Sequence, residues 1–85
     1  MLFRSNLIAY EKGGSIAASV MRVDNTTCKL EITDTRTGAT SIHWIPGWTV
    51  GSRIEVDPQH HRVAVIGPCD DIRIFDAPIS VVKVD

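Results

Sequence analysis

Long hydrophobic runs are missing from this chain: no stretch of its 85 residues approaches the roughly 20 consecutive apolar residues of a membrane-spanning helix. The N-terminus has no basic region followed by an apolar core, so no secretory leader is read there and cytoplasmic residence is the default expectation. Cysteine is scarce as well. Two cysteines are fewer than a disulfide-held secreted domain of this size usually carries. An excess of positive charge is also lacking, with a net charge of −1, so the simultaneous neutralisation of many phosphates is not the business of the chain as a whole.

Catalytic signatures are absent too. No glycine-flanked turn surrounds a serine, and Gly13-Gly14 is followed by neither a helix nor the lysine of a phosphate-binding loop. Asp70-Asp71 and Asp76 read as loop residues that accept hydrogen bonds from nearby backbone amides, in preference to a pair of catalytic carboxylates. His60-His61 and His43, with Cys69 or an aspartate, do not reproduce the ligand spacing of zinc sites. The expectation is a non-enzymatic protein with no cofactor and no metal.

Present instead are eight short β-branched and aliphatic runs, each ended by a turn signal. Cys28, Leu30 and Ile32 alternate with Lys29, Glu31 and Thr33, as on a strand with one face buried. Ile54 and Val56 alternate with Arg53, Glu55 and Asp57 in the same way, and Ile72-Arg73-Ile74 repeats the pattern. Thr35-Arg36-Thr37-Gly38, Asp57-Pro58-Gln59-His60, Pro46-Gly47, Gly67-Pro68 and Ala77-Pro78 supply the corners. The strand map is 2–10, 15–23, 28–34, 39–45, 52–57, 62–66, 72–75 and 79–84. A short helix over 5–12, capped by Ser5 and stopped by Gly13, competes with the first strand but is too short to stand on propensity alone. The fold class is therefore all-β, a small antiparallel barrel or sandwich of about seven or eight short strands joined by hairpins, in a single domain over 1–85.

The segment from Ile42 to Trp48 concentrates more aromatic surface than a small β core requires. His43, Trp44, Ile45 and Trp48 are the candidate binding residues, around a Pro46-Gly47 turn. Trp44 shares a face with Ile42 and is expected in the core, His43 is expected at the surface, and Trp48 fits core or interface equally. Cys28 reads as a small buried hydrophobe and Cys69 as a loop residue whose acidic neighbours raise its pKa. This pattern points to a protein-binding module: an adaptor, assembly component or inhibitor in the manner of phage or mobile-element accessory proteins, presenting an aromatic corner and a strand edge to another protein. A thin core with open strand edges makes a homodimer or other homo-oligomer the expected state.

The alternative is a nucleic-acid binder. Residues 1–36 carry five basic groups against four acidic ones, and Arg22, Lys29 and Arg36 would contact phosphates while Tyr10 or Trp48 stacks on a base. Met1-Leu2, Ser19–Val23, Cys28–Ile32 and Ile42-His43 together resemble the order of hydrophobic strands in carbon storage regulator proteins. That resemblance covers about half of the chain and implies a small dimeric β protein that binds mRNA. The departures are specific: the family's Ala-Pro turn after the third strand is missing, Trp44 stands where a basic residue is expected, and further strands replace the family's terminal helix.

Overall fold

Backbone N–H and C=O groups withdrawn from water must find partners, and among the described residues neighbouring strands and the turns between them supply those partners. The computed structural model describes residues 7–46, 53–67 and 71–78. Within them lie seven strands: β1 (Leu7–Gly13), β2 (Ile16–Arg22), β3 (Thr27–Asp34), β4 (Thr40–Pro46), β5 (Arg53–Asp57), β6 (Arg62–Ile66) and β7 (Ile72–Asp76). They form two antiparallel meanders, a four-stranded sheet ordered β1-β2-β3-β4 and a three-stranded sheet ordered β5-β6-β7. Among the described residues neither sheet closes on itself, so the architecture is an open, sandwich-like pair of sheets.

The strand map matches this closely from the second run to the seventh, because β-branched alternation and turn chemistry agree there. The first run ends later than expected. Within the described residues its strand is Leu7–Gly13, running past the expected end at 10, and the helical alternative over 5–12 is overturned for 7–12 because these residues pair with β2 along its length, with an irregularity between Leu7 and Ala9. Pairing satisfies the backbone of a segment too short to repay helix nucleation. Residues 2–6 and the eighth expected strand, 79–84, lie outside the described residues.

Strand alternation supplies the core. Ile16, Ala18 and Val20 from β2 and Cys28, Leu30 and Ile32 from β3 face inward, with Ile45 from β4. Ile54 from β5 and Val63 and Val65 from β6 complete the buried cluster with Ala77. Each fully buried large aliphatic side chain contributes about 1.5–3 kcal/mol relative to exposure, so the inner faces of β2, β3 and β6 supply much of the drive to fold. The sheets come close where β1 ends. A Cβ on Gly13 would stand 3.1 Å from Val56 Cγ1, so the absent side chain lets β1 approach β5.

Two turns hold the frame. Asp34, the last residue of β3, is only 1% exposed. Its Oδ1 accepts the Arg36 N–H at 2.9 Å and its C=O accepts the Gly38 N–H at 2.7 Å, with Gly38 at φ +82° as the turn demands. Thr35 donates both its N–H (2.7 Å) and its Oγ1 hydroxyl (3.1 Å) to the Ser15 carbonyl, tying the β3–β4 turn to the β1–β2 turn. In the β5–β6 turn His61 takes φ +57°, a conformation uncommon for a side chain of this size. It is held there from two sides, by Nε2 at 3.1 Å from the Pro78 carbonyl oxygen and by its own C=O, which accepts the Ala77 N–H at 3.0 Å.

Candidate functional site

Read in isolation, β4 would bury Ile42 and Trp44 and expose Ser41 and His43. The register with β3 reverses this. Cys28, Leu30 and Ile32 point into the core, and they sit opposite Ile45, His43 and Ser41 respectively. Directly opposed residues share a face, so Ser41, His43 and Ile45 take the inner side and Thr40, Ile42 and Trp44 the outer one. Trp44 is accordingly 59% exposed and Ile42 49%. The expected core position of Trp44 is thus corrected: it does share a face with Ile42, but that face meets solvent.

His43 and Ile45 are corrected in the opposite sense. Ile45 is fully buried and supports the strand from beneath, so it offers no surface for a partner. His43 is half-buried, with its ring 4.6 Å from that of Phe75 on β7 and its Nε2 3.3 Å from Ser41 Oγ. Trp48 and the Gly47 position of the turn lie outside the described residues.

Outer-face residues of the four-stranded sheet line up in rows across the strands. One row reads Leu7, Met21, Lys29, Trp44, and the next reads Tyr10, Ser19, Glu31, Ile42. A third reads Lys12, Ala17, Thr33, Thr40. Apolar and aromatic groups therefore stand on the two edge strands, with Tyr10 56% exposed on β1, while Lys29 and Glu31 occupy the middle. Small residues on β2 leave a shallow depression of about 240 Å³ lined by Tyr10, Ala17, Ala18, Ser19, Glu31 and Thr33. Leu7, Met21, Glu31 and Ile42 were not singled out as site residues from sequence. For Glu31 the alternation shows the solvent side as well; for Leu7, Met21 and Ile42 it does not.

The three-stranded sheet has an outer face of different character. Ile72 and Ile74 are about 60% exposed on the edge strand β7, which corrects the expectation that their side of that strand is buried. Phe75 takes the inward position opposite Val63 instead. Beside Ile74, a depression of about 360 Å³ is lined by Glu55, Asp57, Arg62 and Ala64 among others. Among the described residues this face is narrower and without aromatics, so the four-stranded face is the better candidate.

The remaining polar residues are engaged separately. Asp57 accepts from His60 through both carboxylate oxygens, Oδ2 at 2.8 Å from Nδ1 and Oδ1 at 3.3 Å from the backbone N, and the ring hydrogen bond holds its carboxyl below the usual carboxylate range. His61 reaches Pro78 and His43 reaches Phe75, so the three histidines have different neighbours. Among the described residues no group of three His, Cys, Asp or Glu side chains is arranged to hold a metal ion. Of the basic residues named for nucleic acid, Lys29 shares the outer face with Tyr10, but Arg22 ends β2 and Arg36 sits in the β3–β4 turn beside Asp34, its guanidinium 3.8 Å from Oδ2. Arg22 pairs with Cys28 and Asp34 with Ile16, which puts the two arginines at opposite ends of the sheet, separated by roughly 20 Å of strand.

Burial pushes the Cys28 thiol up from its ordinary value, with Asp24 adding to the shift and Arg22 opposing it. A thiol raised in the folded state contributes stability that is whole below the unfolded value of about 8.5 and is lost as pH rises through the folded value. Stability should therefore decline in alkaline solution, and in a Cys69→Ser background a thiol reagent should modify Cys28 no faster than the domain opens. Rapid labelling at neutral pH would contradict this placement.

No protein-family model, curated protein or solved structure matches this chain. Among the described residues no helix is long and apolar enough to cross a membrane.

Proposed function

We propose that this chain is a non-enzymatic protein-binding module that docks a protein partner on the outer face of its four-stranded sheet, beside the edge strand β4. The observation that carries the reading is the grouping of Trp44, Ile42 and Tyr10 on one solvent-facing surface, with a single Lys-Glu pair between the edge strands. A tryptophan exposed on a rigid strand offers a partner a large contact area at little entropic cost. Among the described residues the outer edge of β4 pairs with no other strand, so a partner can add backbone hydrogen bonds to the same contact. An adaptor, an assembly component or an inhibitor that covers another protein's working surface would all use such a face, and the cytoplasm remains the compartment proposed.

Trp44→Ala should weaken partner binding by about 2 kcal/mol, roughly thirtyfold, while leaving the thermal midpoint close to that of the parent protein. Quantitative affinity capture of the two forms, read by mass spectrometry, makes the comparison. An unchanged set and amount of captured proteins would remove the reading.

The nucleic-acid alternative retains one favourable observation, the shared face of Tyr10, Lys29 and Trp44. Glu31 beside Lys29 and the wide separation of Arg22 from Arg36 count against it, since a polyanion needs several cations within one track. Titration with single-stranded RNA at low ionic strength decides the matter. Tight, salt-sensitive binding would reverse the ranking.

A further inference from the structure

We infer that the partner seated on this face is a second copy of the chain, related by a two-fold axis that lies between the sheets and runs across the strands. The inference rests on the protein-binding reading of the same face. Its basis is self-complementarity in the pattern of the rows. An axis parallel to the rows, placed midway between the Lys29 row and the Glu31 row, keeps each strand over its own copy and exchanges the two rows.

Every residue of one row then faces the residue of the other row that belongs to the same strand. Trp44 meets Ile42 of the second copy on β4, and Leu7 meets Tyr10 on β1, so apolar groups cover apolar groups at both margins. In the middle, Met21 faces Ser19 and Lys29 faces Glu31, and symmetry makes the ion pair twice. The flanking rows add no clash: Thr27 comes over Thr33, and Pro46 over Thr40. Stacked sheets pack in this aligned manner, with the strands of the copies antiparallel and offset by the sheet twist.

The alternative axis, parallel to the strands, also covers apolar groups at the margins. It would place Lys29 over Met21 and Glu31 over Ser19, leaving both charges without an opposite charge across the interface. Charge complementarity therefore selects the first arrangement. The footprint is modest, about 19 Å across the four strands by about 23 Å along them, which belongs to the small and weakly associating class of interfaces. The dimer should be looked for at high protein concentration.

Sedimentation equilibrium on the full chain and its charge variants tests the arrangement. Wild type should dimerise, whereas Lys29→Glu and Glu31→Lys should each weaken self-association by about tenfold or more, because each sets like charges against one another twice. An equimolar mixture of these two variants should restore dimers, since Glu at 29 of one copy then faces Lys at 31 of the other and the reverse. The double variant carrying both reversals should dimerise by itself. Trp44→Ala, whose side chain is the more exposed, serves as a second probe and should also weaken the dimer, with circular dichroism confirming that each variant is folded.

A wild-type monomer at every concentration, single variants that associate like wild type, or a mixture that stays monomeric would each overturn the inference. The two readings fail separately. If wild type is monomeric while Trp44→Ala loses a captured protein, the face binds proteins but its occupant is not a second copy. If wild type dimerises and Trp44→Ala does not alter the dimer, the outer face is not the surface used.

Discussion

Leu30→Ala is expected to cost about 2–5 kcal/mol of stability, the largest effect of any single truncation considered for this domain. Leu30 is fully buried at the middle of β3, between Val20 on β2 and His43 on β4 in the register, and belongs to the cluster that joins the two sheets. Truncation removes its transfer free energy and leaves a cavity that a close-packed β core relaxes into only partly. Small domains have about 5–15 kcal/mol in total, so this one change consumes a large share of it. Urea unfolding should show a lower midpoint at an unchanged slope. Ile42→Ala, made on the neighbouring strand but on the outer face, should cost far less. Equal losses from the two substitutions would sink the assignment of faces, and with it the candidate site.

Asp34→Ala is expected to destabilise by about 1–3 kcal/mol, through the loss of a buried acceptor whose donor then has no replacement. The Asp34 carboxylate is 1% exposed and holds the Arg36 N–H, and the adjoining backbone anchors Gly38 and Ala39. For a domain of this length each kcal/mol lowers the thermal midpoint by about 4–8 °C, so the loss is easily read in a melting curve. Asp34→Asn keeps an acceptor oxygen at the same place and should recover a good part of the loss. If the asparagine and alanine variants melt together, the hydrogen bond to Arg36 is not what matters at this position.

Most of the fold was legible in the residues. The alternation of Cys28, Leu30 and Ile32 with Lys29, Glu31 and Thr33 names a strand and its buried side without outside help, because both the apolar and the charged members agree. Gly38 after Thr35-Arg36-Thr37 names the hairpin that follows, because only a residue tolerant of positive φ suits that corner. His61 gives no such notice. It closes the four-residue loop between Asp57 and Arg62, donating its N–H to the Pro58 carbonyl, and takes a positive φ without being a glycine, with Pro78 and Ala77, distant in sequence, bonded to it as well.

The candidate site was legible only in part, and β4 shows why. Tryptophan and isoleucine at alternate positions look like a core face next to serine and histidine, and propensity offers no reason to think otherwise. The orientation of an edge strand is inherited from its neighbour through the register, however. Once Leu30 is inside, His43 opposite it must be inside as well, and Trp44 must be out. The gathering of Leu7, Tyr10, Met21 and Trp44 on one surface also depends on register across four strands, which brings residues up to 37 positions apart in the chain into two adjacent rows.

Composition, alternation and turn residues by themselves determined that this protein is an all-β domain built of short antiparallel strands, since those properties act over a few residues at a time. Tertiary structure decided that the described strands divide into two sheets, that Ile45 is buried, and that Trp44 faces solvent in company with Tyr10 and Ile42. The physical reason is the two-residue period of a strand: alternation marks two faces, and only pairing with a neighbour whose inner side is already committed settles which of them is covered.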